Sequence, residues 1–404
     1  MLVHRLKLSL PRFVPSNNAL YQVPHRRYGT TVIYAIPASE VLSAMPVRTT
    51  RLVIRPTLFV LASVLGVYTF CAYETNNHTD FYLSQYPVNT DTGYWIVRNA
   101  DQARQCCEID KTTERSRRWK ERLDSFLPAP MTHSVITTYI KLATMWNETQ
   151  DSDRTLLGVT ALTTAIFASR LLPGSLPHVL KLLFHHPFSG RSHTLITSPF
   201  NHLGMFHLVS NIGGLWFLKI GYQWLAQDCL PEQLSVEEAT SSYHLLSFTF
   251  AAGAFSMLCS HLYEIALYRS RVRSLAPPSL AALTFNQGWQ VTPTCGISGV
   301  VYALAAVAIF GFSDNKAHLI FANGDIPAWT LIIPLLALDT AGLLAGRRLM
   351  YMNHACHLSG FAFGTLYVYY GVEAWEKLRI IVARVSGGEM PAKVLFRHQV
   401  SDNV

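Results

Sequence analysis

Charge is scarce in this chain. Only 14% of its 404 residues are Asp, Glu, Lys or Arg, while 50% are hydrophobic. Soluble domains carry about 25% charged residues, so the shortage excludes an ordinary soluble domain and points to an integral membrane protein. Acidic residues are missing from the first 39 positions altogether; the first is Glu40. No apolar core follows the first basic residues, which excludes a secretory signal. An acid-free leader with Arg5, Lys7, Arg12, Arg26 and Arg27 among Ser, Thr and Asn reads as a mitochondrial transit peptide, with Arg26-Arg27-Tyr28 a plausible cleavage region. The net charge of +8 is concentrated there and needs no nucleic-acid partner. Cys-x-x-Cys is absent, so the 7 cysteines form no zinc or disulfide framework and are read as structural. Internal repeats and paired broken segments are absent too, which argues against a transporter.

What is present is long apolar sequence. A spanning helix needs about 20 apolar residues, and stretches near 56–73, 155–172, 203–224, 243–263, 295–313, 328–346 and 349–372 meet or approach that length. The expected organisation is a leader at 1–51, an extra transmembrane helix at 52–74, a polar linker at 75–154, a core at 155–373 and a tail at 374–404. Within the linker, the stretch around Lys111 to Arg122 mixes both charge signs at helical spacing and predicts a solvated or membrane-surface helix. The broken apolar segment 175–197 predicts a piece lying at the interface.

Three polar constellations interrupt the apolar segments. Cys295-Gly296-Ile297-Ser298-Gly299 frames a serine with glycines, at the start of an uncharged run to Ser313. Removing side-chain bulk there lets another helix approach closely. His357, Gly360 and Gly364 stand at i, i+3 and i+7, one face of a second helix. A histidine on one smooth face can thus meet a serine on the other, and a hydroxyl needs such a base to become a nucleophile. His207 and Asn211, at i and i+4 with Gly214 continuing the face, are hydrogen-bond donors suited to an oxyanion hole, to which the Ser298 N–H would add. Each half alone reads as glycine-mediated packing with a hydrogen-bonded histidine or amide. Together they point to a serine hydrolase built inside the bilayer, because ionisable groups there are costly. His354 competes for the role of base but lacks the glycine track, so a packing or loop contact is expected of it. Asp339, alone in an apolar stretch, is open to a role as functional acid, but the preferred reading is a hydrogen-bonded anchor or a residue near the interface. No acidic residue neighbours either histidine, so the expected site is a Ser298–His357 dyad oriented by packing.

These residues resemble the rhomboid family of intramembrane serine proteases. The marks are Gly-x-Ser-Gly at Gly296 to Gly299, His-x-x-Gly at His357 to Gly360 with Gly364, and His-x-x-x-Asn at His207 to Asn211. Thr197-Ser198-Pro199-Phe200-Asn201-His202 and Leu338-Asp339-Thr340-Ala341-Gly342, with the helix ahead of the core, resemble the mitochondrial, presenilin-associated type. The resemblance implies an all-α polytopic membrane protein with a six-helix rhomboid core and one additional N-terminal helix. It implies catalysis by Ser298 and His357, an oxyanion site at His207 and Asn211, and structural glycines at 296, 299, 360 and 364, with no metal and no cofactor. It places the protein in the mitochondrial inner membrane and makes its partners membrane lipid and transmembrane substrates, such as dynamin-like GTPases or imported precursors. The alternative within the fold is an inactive binder of transmembrane clients; such relatives lose the serine or histidine that this chain keeps. A metal-dependent intramembrane protease would need His-Glu-x-x-His, which is absent. No Trp-Arg pair stands in the interfacial segment, so lipid-facing roles of that segment do not transfer, and the 264–294 loop is longer than a compact core needs. Counting Lys and Arg in short loops puts the N-terminus in the matrix and Val404 in the intermembrane space, provided the weak 155–172 stretch crosses.

Overall fold

A computed structural model describes residues 50–89, 96–174, 176–226, 237–273, 294–312, 316–318, 325–327, 329–345 and 352–387. The leader up to 49, most of the 264–294 loop, the end of the tail, and the loop residues Arg347 and Arg348 of the Lys and Arg count lie outside them.

The described chain is mostly helical. A π turn at Thr50–Ile54 leads into α1 (Arg55–Gln85), whose Pro56 sits in the first turn, where a missing N–H breaks no bond. At 31 residues α1 is about 46 Å long, more than the roughly 30 Å hydrocarbon core requires. It runs on past the expected end at 74 because its polar continuation finds partners. The Asn76 amide donates to the Arg379 carbonyl (2.9 Å), and Thr79 accepts from Ala239 N–H (3.1 Å).

Next come α2 (Ala100–Leu123) and α3 (Ala129–Glu148), packed together with Trp119 stacked on Tyr139 at 5.1 Å. Asn99 caps α2 by accepting from Gln102 N–H, and exposed pairs such as Arg117–Glu121 and Lys120–Asp124 decorate it. The charged stretch predicted as a surface helix is the C-terminal half of α2. Just before it, the Tyr86 hydroxyl donates to Asp110, which pushes that phenol up to about 12.

The remaining helices of seven residues or more are α4 (Asp151–Ala168), α5 (Leu176–Leu183), α6 (Met205–Phe217), α7 (Lys219–Leu225), α8 (Ser242–Arg273), α9 (Ser298–Gly311), α10 (Trp329–Leu344), α11 (His354–Leu366) and α12 (Val372–Ser386). The 203–224 stretch is thus two helices broken at Leu218. The last stretch starts at the Asn353 cap and passes through a π turn, Tyr367–Gly371, into α12, which ends at Gly387 with φ of 70°. An all-helical reading omits one small feature: β1 (Lys316–His318) and β2 (Asp325–Pro327) form an antiparallel ribbon.

In an apolar 18-residue stretch within 51–85, which contains α1, 17% is buried, against 72% in the corresponding stretch of α8. α8 is therefore a core helix, while α1 presents Leu58, Leu61 and Leu65 outward. α9 lies at the centre, buried along nearly its whole length, as expected for a helix apolar on every side. Its small residues let α11 approach backbone to backbone: a Cβ on Gly360 would overlap the Gly299 carbonyl, and one on Gly364 the Ala303 carbonyl.

Contacts sort the bundle into two ends. At the first, His261 of α8 meets the Leu52 carbonyl ahead of α1, Ser260 meets Asn353 ahead of α11, and Arg170 after α4 meets Asn201 and the His202 carbonyl. At the second, the Ala100 N–H donates to Glu237, the Ser241 N–H to Asp151, and Arg379 to the Glu237 carbonyl. α4 connects the two ends, Asp151 at one and Arg170 at the other.

Candidate active site

Ser298 occupies the first position of α9, half-buried, at the first end of the bundle. The first N–H groups of a helix have no intrahelical acceptor, so the Ser298 N–H is a donor of this kind. The turn into α9 requires Gly296 at φ of 123°, a conformation costly for residues with a Cβ. Here glycine is doubly required, because a Cβ would stand 2.6 Å from His207 Cε1 and 2.8 Å from its Nε2.

Close packing of α11 on α9 delivers His357. Its Nε2 lies 2.9 Å from Ser298 Oγ. On the far side of the ring, Nδ1 lies 3.1 and 3.3 Å from the two Asp339 carboxylate oxygens. The expectation that packing alone orients this histidine is therefore corrected: a carboxylate on α10 does it. The hydrogen-bond network also assigns the tautomer. A carboxylate accepts, so Nδ1 carries the hydrogen and Nε2 presents its lone pair to the serine hydroxyl. Tyr302, one turn after Ser298, stacks on His357 at 4.4 Å and 10°, and its hydroxyl approaches Asp339.

Asp339 is fully buried. A buried charge is costly unless hydrogen-bonded, and Asp339 accepts from both histidines of α11, since His354 Nδ1 lies 2.6 Å from Oδ1. His354 is thus tied to the carboxylate and not to the serine. Its Nε2 is buried without a partner among the described residues. Gly342, one turn after Asp339, leaves room for that ring; a Cβ there would collide with it.

The expected oxyanion donors stand on α6. Leu203 N–H donates to His207 Nδ1 (3.3 Å), which leaves the hydrogen of the neutral ring on Nε2, the atom facing Gly296. The buried Asn211 amide donates to the His207 carbonyl of its own helix (2.8 Å) and retains a second hydrogen. α6 and α9 start at the same end, and Gly214 packs on Val301. Three residues upstream of that contact, on each helix, are Asn211 and Ser298, so the amide sits near the level of the serine. The four glycines predicted as structural meet His207 at Gly296, Ser256 and Cys356 at Gly299, Gly299 at Gly360 and Ala303 at Gly364.

Sequence reasoning missed the roles of Asp339 and Tyr302. Tyr302 is four residues after Ser298 and so shares its helical face, a signal that could have found it. Among the described residues no cluster of histidine, cysteine and carboxylate suits a metal ion. The constellation can do one kind of chemistry well: take a proton from a hydroxyl, return it, and stabilise a negative oxygen beside the start of α9.

Residues 189–374 match the family model described as the Rhomboid domain. The presenilin-associated rhomboid-like protein, mitochondrial, of Homo sapiens is 22% identical over 260 residues, covering 60% of this chain and 58% of its own length. Protein A of that name from Danio rerio is 23% identical over 57% of this chain and 52% of its own. RHOMBOID-like protein 12, mitochondrial, of Arabidopsis thaliana is 28% identical over 47% of this chain and 48% of its own. The chain spans less than two thirds of the length of these relatives.

Proposed function

We propose that the chain is a rhomboid-family protein of a mitochondrial membrane and a serine endopeptidase that cuts transmembrane or membrane-anchored proteins in the inner membrane, a reading supported by the match of residues 189–374 to the Rhomboid domain and by the mitochondrial relatives. The observation that carries the reading is the Ser298 Oγ to His357 Nε2 distance of 2.9 Å, with Asp339 behind the ring. Ser298 Oγ attacks the peptide carbonyl carbon while its proton passes to His357 Nε2. The carbonyl oxygen gains the negative charge beside the Ser298 N–H, His207 and Asn211. Collapse breaks the C–N bond and returns the proton to the leaving amine; water, deprotonated by the same histidine, then releases the acyl group. Asp339 holds the His357 tautomer throughout. No step calls for a metal or a cofactor.

The architecture in this reading is multi-pass: α1 ahead of a six-helix core formed by α4, α6 with α7, α8, α9, α10 and α11. Substrate form follows from membrane physics. A helix in lipid pairs its own backbone groups, so a scissile bond becomes accessible where Gly, Pro or polar residues weaken that helix.

Ser298→Ala and His357→Ala should each lower cleavage of a transmembrane reporter by ~10³-fold or more, with membrane insertion unchanged. A fluorophosphonate should label the native chain and spare Ser298→Ala. Full cleavage by either variant would refute the reading, and a native chain that binds transmembrane segments without cutting any would establish the inactive alternative. Replacing helix breakers in a cleaved substrate by Leu should suppress its cutting; unchanged rates would refute the unwinding argument.

A further inference from the structure

A buried polar chain at the first end of the bundle has no part in the mechanism above. Thr194 Oγ1 lies 2.8 Å from His185 Nδ1, His185 Nε2 lies 3.0 Å from His261 Nδ1, and His261 Nε2 lies 2.6 Å from the Leu52 carbonyl. Both rings are 2% exposed and meet edge to face, 5.0 Å apart. The direction of the chain is fixed from its far end. A carbonyl can only accept, so His261 Nε2 carries the hydrogen. In a neutral ring Nδ1 is then bare and accepts from His185 Nε2. His185 Nδ1 is bare in turn and faces the Thr194 hydroxyl, whose single hydrogen is shared between that ring nitrogen and the Arg191 carbonyl (2.8 and 2.7 Å). Both rings thereby stay neutral, the inexpensive way to bury imidazole.

The ends of this chain matter more than its middle. Leu52 belongs to the π turn that opens α1, and the neighbouring Arg51 guanidinium lies over Gly190 of the interfacial segment. His185 is bonded through its main chain to Thr294: His185 N–H to the Thr294 carbonyl at 3.0 Å, and Thr294 N–H to the His185 carbonyl at 2.8 Å. The same stretch is pinned again at Gly296, whose N–H donates to the Ser198 carbonyl at 3.0 Å. Ser298 follows two residues later. A continuous bonded path therefore runs from the first turn of the extra helix, through His261 and His185, to the segment that sets Gly296 against His207 and aims the Ser298 N–H.

We infer that His261 and His185 are positioning residues for the reaction assigned to Ser298, using the opening turn of α1 to hold 294–297 in its productive conformation. The inference rests on the peptidase reading, and it makes α1 a working part of the site and not only a membrane anchor. Misplacing reacting groups by about 1 Å can cost up to ~10²-fold in rate, so a loosened 294–297 segment should show in kcat and leave KM nearly unmoved.

The test uses the full chain in detergent and two readouts. One is kcat and KM on a transmembrane reporter. The other is the rate of N-ethylmaleimide reaction at Cys295, read by peptide mass spectrometry, with the buried Cys107 of α2 as folding control. His261→Leu should lower kcat about tenfold with KM within about twofold, and speed Cys295 alkylation at least about threefold. His261→Gln, whose amide can donate to Leu52 and accept from His185, should recover both. Thr194→Val, a milder break at the other end, should move both readouts in the same direction by about half as much on a logarithmic scale. An unmoved Cys295 rate in His261→Leu with Cys107 protected, or a Gln variant as impaired as Leu, would overturn the inference. Should Cys107 become reactive in His261→Leu, Thr194→Val decides, and native values there overturn it. A native chain that neither cleaves nor labels would overturn the peptidase reading, and faster Cys295 alkylation would still establish the tie.

Discussion

The two ends of the bundle hold themselves together by different chemistry. At the second end, full charges are held in pairs: Arg379, wholly enclosed, binds Glu376 (3.3 Å), Glu238 (3.5 Å) and the Asn76 side chain, while the half-buried Arg104 bridges the half-exposed side chain of Asp101 and the buried side chain of Asp151 (2.6 and 3.2 Å). At the first end the polar groups are imidazoles bonded to carbonyls, hydroxyls and one another. Even a cation there, Arg170, is held by the Asn201 side chain and the carbonyls of His202 and Leu203. Ion pairs fix helices in register but have no proton to spare. Neutral imidazoles fix a loop just as firmly and leave one ring, His357, able to take a proton and give it back. Asp339 is where the first end borrows the chemistry of the second, and it lies behind the base, away from the serine.

That contrast is most exposed to Asp339→Asn. The amide can no longer insist on an Nδ1 hydrogen, so the wrong His357 tautomer becomes accessible, and kcat should fall ~10²- to 10⁴-fold on the scale of such replacements. The fold should persist, because the amide still bonds His354. Single-turnover cleavage beside a thermal melt in detergent separates the two effects. Activity within about threefold of native would demote Asp339 to an anchor and leave a bare dyad.

Arg379 offers the complementary break. Arg379→Met leaves Glu376 and Glu238 facing each other without their cation, which should cost about 3–5 kcal/mol of stability. Residual folded protein should keep near-native kcat, since this cluster is at the end remote from Ser298. A large loss of kcat at unchanged stability would join the two ends energetically and erase the comparison.

Between them stands the α9–α11 contact, which serves both. Gly364→Ala places a methyl group against the Ala303 carbonyl, and overpacking of this kind costs about 1–3 kcal/mol. Gly158→Ala on α4, where nothing stands within 4 Å of the added carbon, should instead be neutral or stabilising by up to about 1 kcal/mol. Paired melts of these two variants check it; equal shifts would mean that the tight approach is not what glycine provides.

The serine and its base were legible in sequence because helical spacing is a short-range property. Gly296, Ser298 and Gly299 on one segment and His357, Gly360 and Gly364 on another define two smooth faces by their spacing alone. Asp339 was visible as an oddity but not as a partner. A lone carboxylate in an apolar stretch looks the same whether it anchors a helix or orients a histidine 18 residues away. The length of α1 was hidden for a related reason. Asn76 and Thr79 read as the start of a polar linker until Arg379 and Ala239, distant in sequence, supply their partners. His185 and His261, 76 residues apart, carry no local pattern at all.

Lys219 sets the lower bound of the comparison. Its ammonium reaches Asp153 at 3.4 Å across the second end, but its side chain is 41% exposed and that of Asp153 26%. Water competes for both charges, and a flexible four-carbon stem must be ordered to hold the contact, so such pairs contribute about 0.2–1 kcal/mol. Lys219→Met should therefore lower stability by no more than that, with kcat unchanged, and the difference should shrink further in high salt because an exposed pair is screened. Melts at low and high ionic strength make the check. A larger, salt-insensitive loss would place this pair in a drier environment than its exposure implies and would extend the buried ionic network of the second end as far as α7.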